Sequence, residues 1–185
     1  MIVRRVVTGH DAAGRSVVAA DGPTPRSKTF VHTPGFASNL VWLTGATPSL
    51  PNGDGDGDST LVAKSFLPPP GGTAWHVITF PPDSVMMQPG FDFAAAGAEH
   101  LRESPGIAEK FEPDHPGMHT TDTVDYAIVL TGEIWLELDD GKTVHLKKHD
   151  TVVQQGTRHA WRNKGSEPAT VAVVLVGADR AVSRV

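Results

Sequence analysis

Apolar and polar positions in this chain fall into short runs, most of them alternating, broken at close intervals by Gly- and Pro-rich punctuation. Val3–Val7 and Ser16–Ala20 are β-type runs flanking Gly9-His10-Asp11-Ala12-Ala13-Gly14, which has turn composition, so an N-terminal hairpin is expected. Lys28–His32 and Asn39–Leu43 predict two more strands, and residues 44–60 read as loop. Pro68-Pro69-Pro70-Gly71-Gly72 makes a rigid turn before Ala74–Phe80, a strong strand closed by Pro81-Pro82. Phe91–Arg102 is the one helical stretch, ended by Ser104-Pro105-Gly106, and Ile107–Phe111 adds one further turn. Thr123–Leu130, Glu133–Leu138 and Lys142–Leu146 read as strands, the last two joined at Asp139-Asp140-Gly141. Ala169–Val176 is a near-continuous apolar run, the pattern of a buried closing strand, and the tail from Gly177 is expected to be loose. Many short strands with a single helix predict a β-sandwich or jelly-roll barrel.

Composition narrows the chemistry. With 185 residues and no cysteine, the chain can bury a core as one domain but has neither a disulfide framework nor a thiolate metal site, which is compatible with a cytoplasmic address. The formal charge is −5 with no basic stripe and no helix-turn-helix, which argues against nucleic acid, and no stretch has the length of a membrane span. Gly53–Asp58 alternates glycine with aspartate. Oxygen ligands at every second position occur in calcium loops, but no bidentate glutamate follows, and solvated linker is the favoured reading.

Nine histidines stand out, and two lie in chemically loaded clusters. In an extended segment His119 and Thr121 share a face; on the strand that follows, Asp125, Ala127 and Val129 point one way and Tyr126 the other. His159, Trp161 and Asn163 share a face in the second cluster. Two imidazoles and one carboxylate on inward positions could meet at one metal ion with open coordination sites. A metal-free His–Asp acid/base pair and a purely structural pairing are the rival readings. His76 or His115 could add an imidazole if the fold brings either close; His10, His32, His100, His145 and His149 read as surface or turn residues. Trp161 reads as a pocket wall, Trp42 and Trp135 as core. Arg158 and Arg162 are candidates for an anionic substrate, against a solvated face as the plainer role.

These clusters resemble the two motifs of the cupin superfamily. In the first, His119 takes the first histidine position, Thr121 the second, Asp125 that of the glutamate and Gly132 that of the closing glycine. In the second, Gly156, His159 and Asn163 fit, with His149 where glycine is usual and Gln154 near the proline position. The resemblance implies an all-β fold, a cupin-type double-stranded β-helix (jelly-roll) barrel with N-terminal strands and one short helical segment. It places a single cupin domain over 1–185, with N-terminal extension strands and loop in 1–90 and the barrel core at 115–177. It implies a small-molecule substrate in the barrel, a homodimer, and one divalent ion (Fe, Mn, Ni or Zn) on His119, Asp125 and His159, with Thr121, Trp161 and Asn163 shaping the pocket. Threonine at the second histidine position and the shorter acid depart from the usual three-His-one-Glu set. Oxygenase, decarboxylase, isomerase and lyase chemistry all remain open. So do a metal-free dehydratase or epimerase and a non-enzymatic ligand-binding protein.

Overall fold

The computed structural model describes residues 1–50 and 58–181. The Gly-Asp run expected as linker lies outside the described residues except for Asp58, which caps a short helix and pairs with Arg5.

The chain opens with β1 (Arg4–His10) and β2 (Ser16–Pro23), the expected hairpin. Then come β3 (Arg26–Thr29), β4 (Ala37–Thr44), α1 (Ser59–Val62), β5 (Thr73–Phe80) and α2 (Phe93–Glu103). The second half contributes β6 (Phe111–Glu112), β7 (His115–His119), β8 (Thr123–Thr131), β9 (Glu133–Glu137), β10 (Thr143–Lys147), β11 (Thr151–Gln155), β12 (Ala160–Arg162) and β13 (Ala169–Gly177). The strand expected at Lys28–His32 forms earlier and shorter, because the backbone of Val31 and His32 is taken up elsewhere.

Two sheets carry the architecture: a six-stranded one in the order β11-β8-β13-β5-β4-β3 and a three-stranded one in the order β10-β9-β12. The apolar run Ala169–Gly177 sits where its composition requires, hydrogen-bonded to β8 on one side and β5 on the other. β3, β4 and β5 supply half of the larger sheet, so this part of the expected N-terminal extension is built into the barrel. Alternation holds on β8: Thr123, Asp125, Ala127 and Val129 are buried while Tyr126 is exposed. Ala127 and Val129 meet Ile134, Leu136, Leu146, Ala169 and Val171 in one core cluster, and Leu40, Phe66, Ala74 and Leu175 form a second.

Three expectations are corrected. Trp135 faces outward and stacks on His145 at 4.2 Å between ring centroids, because Ile134 and Leu136 take the inward positions of β9. Trp42 is half-buried beneath the Arg5 guanidinium and not packed in the core. The tail is not loose where it leaves β13: Ala178 N–H donates to Asp122 O, and Arg180 donates to Asp122, Thr121 O and Gly156 O. Residues 182–185 lie outside the described residues.

α2 is held by an unusual anchor. Glu99 on its inner face is 1% exposed, and its carboxylate accepts the Val31 and His32 N–H groups at 2.7–3.0 Å. That places the helix over one end of the barrel.

Two turns show what the motif glycines do. Gly132 has φ +70°, and a Cβ there would meet Pro168 O at 2.7 Å and the Ala169 Cα at 2.9 Å, so the turn admits glycine alone. His149, at the position where glycine is usual, has φ +76° on an exposed turn. A side chain in this left-handed conformation costs on the order of 1 kcal/mol. His149→Gly is therefore expected to raise stability by about 1 kcal/mol and Gly132→Ala to lower it by more than that, both read as shifts of the urea midpoint.

Candidate functional site

A cavity of about 790 Å³ lies between the two core clusters and beneath α2. His119, Thr121, Asp125, His159 and Trp161 all line it. The two imidazoles are brought together by backbone pairing. His119 ends β7, His159 immediately precedes β12, and each donates its N–H to the other's carbonyl at 2.9 Å. Their rings then lie 4.3 Å apart between centroids.

Each ring is oriented by a local bond. His119 Nδ1 lies 2.9 Å from Gly117 O and His159 Nδ1 lies 3.0 Å from Thr157 O. A carbonyl can only accept, so both Nδ1 atoms carry the proton and both Nε2 atoms keep a free lone pair. Burial pushes His159 down to about 4, helped by the neighbouring His119; burial also lowers His119, partly offset by the Gly117 carbonyl and by Glu112. Both rings are thus neutral at physiological pH.

Asp125 points inward from β8, opposite Gln154 on β11 and Leu175 on β13. It is 6% exposed, and its Oδ1 has no hydrogen-bond partner. Burial pushes its carboxyl up to about 6, and the Thr123 hydroxyl offsets part of that rise. Thr123 is itself tied to Thr121 by a 2.8 Å hydroxyl–hydroxyl bond.

The expected ligand set of His119, Asp125 and His159 shares one cavity wall. Among the described residues no three His, Cys, Asp or Glu side chains come together as a metal-holding group. His119 and His159 have the donor character an ion requires, each through its Nε2. Of the two spare histidines, His115 is exposed beside Glu112, whereas His76 is fully buried on the cavity wall, its Nε2 donating to Phe66 O at 3.1 Å and its Nδ1 without a hydrogen-bond partner among the described residues.

Asn163, expected in the pocket, is not on its wall. It lies past the end of β12, where its Nδ2 donates to Phe80 O and Glu167 O and its Oδ1 accepts from Gly165 N–H. These bonds hold the turn, so the residue is structural. His100, read as a surface residue, instead packs between Phe30 and Phe36 on the cavity wall. Arg158 is spent on Glu112 and Asp139, and Arg162 on Glu137 and Pro116 O. The walls that sequence reasoning missed are Phe36, Phe80, Phe91, Phe93 and Phe111, which are far apart in the chain and carry no motif.

The raised Asp125 pKa has a defined consequence for stability. The protonated form is favoured in the folded state, so ionisation costs stability from the ordinary carboxyl range upward, and the full cost, about 3 kcal/mol, is reached above pH about 6. Asp125→Asn should therefore stabilise the protein in mildly alkaline buffer by a few kcal/mol, with the gain vanishing in acid below the ordinary aspartate range. Paired urea denaturation curves of the two proteins across that range test it, and a gain that does not change with pH would refute it.

Comparison with known proteins identifies relatives along most of the chain. Residues 109–176 match the family model described as a cupin domain. The phomopsin biosynthesis cluster protein C' of Diaporthe leptostromiformis is 31% identical over 166 residues, covering 86% of this chain and 70% of that protein. The cupin-domain-containing oxidoreductase fogC of Aspergillus ruber is 26% identical over 177 residues, covering 94% and 72% respectively. A crystal structure of a putative ethanolamine utilization protein Q from Salmonella typhimurium superposes with a TM-score of 0.43 at 9% identity, covering 97% of this chain and 99% of that one. The motif residues, the two-sheet barrel and these relatives together establish that the chain belongs to the cupin superfamily.

Proposed function

We propose that this cupin is an enzyme that transfers protons on a small organic molecule held in the barrel cavity. The observation that carries the reading is Asp125: a buried carboxyl with an unpartnered oxygen, facing a cavity that also presents two neutral imidazoles. Burying such a group without a partner is costly, and sites that bear this cost are enriched in acid–base function. Ionised, Asp125 is the base that takes a proton from substrate carbon; protonated, it returns one to another atom or to a leaving hydroxyl. His119 and His159 accept hydrogen bonds from substrate hydroxyls through Nε2 and orient them, while Thr121 and Trp161 shape the space. Isomerisation, epimerisation and dehydration share these steps. The homodimer belongs to the same reading, with the free edge of β3 and the exposed hairpin β1–β2 as its contact surface; light scattering that returns a monomer would remove it.

A second reading is favoured by the tautomers. Two bare Nε2 atoms side by side fit the imidazole half of a divalent ion's coordination shell, and carbonyl-held Nδ1–H groups are the usual support for such ligands. An ion there would supply Lewis-acid or redox chemistry, in keeping with the oxidoreductase names of two relatives.

Elemental analysis of protein purified without added metal, combined with turnover of His159→Ala and Asp125→Ala, separates these readings. Proton transfer predicts turnover without bound metal and a loss of about 10²–10⁴-fold in each variant. One equivalent of metal, lost in His119→Ala, replaces that mechanism with the second. No turnover in the unsubstituted protein, with ligand binding that survives all three substitutions, leaves a ligand-binding protein.

A further inference from the structure

The charges around the cavity specify what can enter it. Among the described residues four carboxylate-bearing ones, Asp83, Glu109, Glu112 and Asp125, stand on its wall against one permanent cation, Arg162; Glu112 is neutralised by Arg158, which leaves three acids without a cation. Arg162 is not free: its Nε donates to Glu137 at 2.5 Å and its Nη1 to Pro116 O at 2.6 Å. The rest of the surface is dominated by aromatic rings, with Phe80, Phe111, Trp161 and Phe93 converging from β5, β6, β12 and α2, and Phe36 and Phe91 from the segments just before β4 and α2. An anionic ligand would be desolvated against a net negative, mostly apolar wall with no unpaired positive charge to receive it. A neutral molecule with one hydrogen-bond donor meets free acceptors, the Nε2 atoms of His119 and His159.

Gly97 completes the picture. It lies on the cavity side of α2 at mid-helix, is exposed, and a Cβ there would have nothing within 4 Å. Glycine in a helix interior costs about 1 kcal/mol relative to alanine, and no close contact requires it here. The space it leaves adjoins the cavity.

Building on the reading that this cavity holds the substrate, we infer that it selects uncharged, largely apolar ring-bearing molecules carrying a hydroxyl, rejects carboxylate- and phosphate-bearing ones, and admits them past Gly97.

The test uses two probes of matched size, 4-hexylphenol and 4-hexylbenzoate, at a pH near 8, where the phenol is neutral and the benzoate ionised. Binding is read by quenching of tryptophan fluorescence and by thermal shift. The phenol is expected to bind saturably and at least about tenfold more tightly than the benzoate, a difference of about 1.4 kcal/mol. Gly97→Leu should weaken phenol binding about tenfold while the melting temperature holds or rises, since leucine is the better helix former. Glu137→Gln, which leaves the Arg162 charge uncompensated, should improve benzoate binding. Benzoate binding as tight as phenol, no saturable phenol binding, or phenol binding unchanged in both Gly97→Leu and Trp161→Ala would each overturn the inference. These are binding measurements, so loss of the proton-transfer mechanism in the turnover assays would leave them standing, and their failure would leave that mechanism intact for another ligand class.

Discussion

Strand β13 is hydrogen-bonded along both edges, to β8 from the second half of the chain and to β5 from the first. That double pairing is the constraint on which the rest depends. It joins N- and C-terminal segments into one six-stranded sheet and sets the inward register of β8. Leu175 is thereby placed opposite Asp125, and Val173 opposite both Ala127 and His76. A one-residue slip of β13 would turn its inward side chains outward and lose the wall of the cavity along with the core.

The second constraint is local and acts on the chemistry. The reciprocal His119–His159 backbone pair forces two largely buried imidazoles together. Low dielectric keeps both rings neutral and leaves Asp125 without the solvation that an ionised carboxylate would need. The same cavity keeps its one arginine paired to Glu137, so no spare positive charge relieves the carboxylate. Stability is given up where Asp125 is buried, and the aromatic walls and the Glu99 anchor of α2 hold the surrounding frame.

Much of this was legible from residue order, for reasons of periodicity. A period of two on Thr123–Leu130 places Asp125 inside and Tyr126 outside wherever the strand sits, and the apolar run 169–176 has to be covered on both faces. The glycine turn at Gly132 follows from a backbone geometry that side chains resist. Reading Asn163 as a pocket residue failed because alternation was carried past the end of β12, where the chain turns and the amide caps its own loop. Trp135 failed because burial on β9 went to the aliphatic positions.

The sequence by itself therefore determined most of the strands, the fold class, the inward facing of Asp125 and the family to which the chain belongs. Only the tertiary structure decided that His119 and His159 lie against each other in a cavity they share with Asp125, that Arg158 and Arg162 are consumed by carboxylates, and that six aromatic rings from distant segments make the wall. The physical reason is that alternation specifies which face a side chain occupies, whereas distances between side chains on different strands depend on register and sheet closure, which no local pattern encodes.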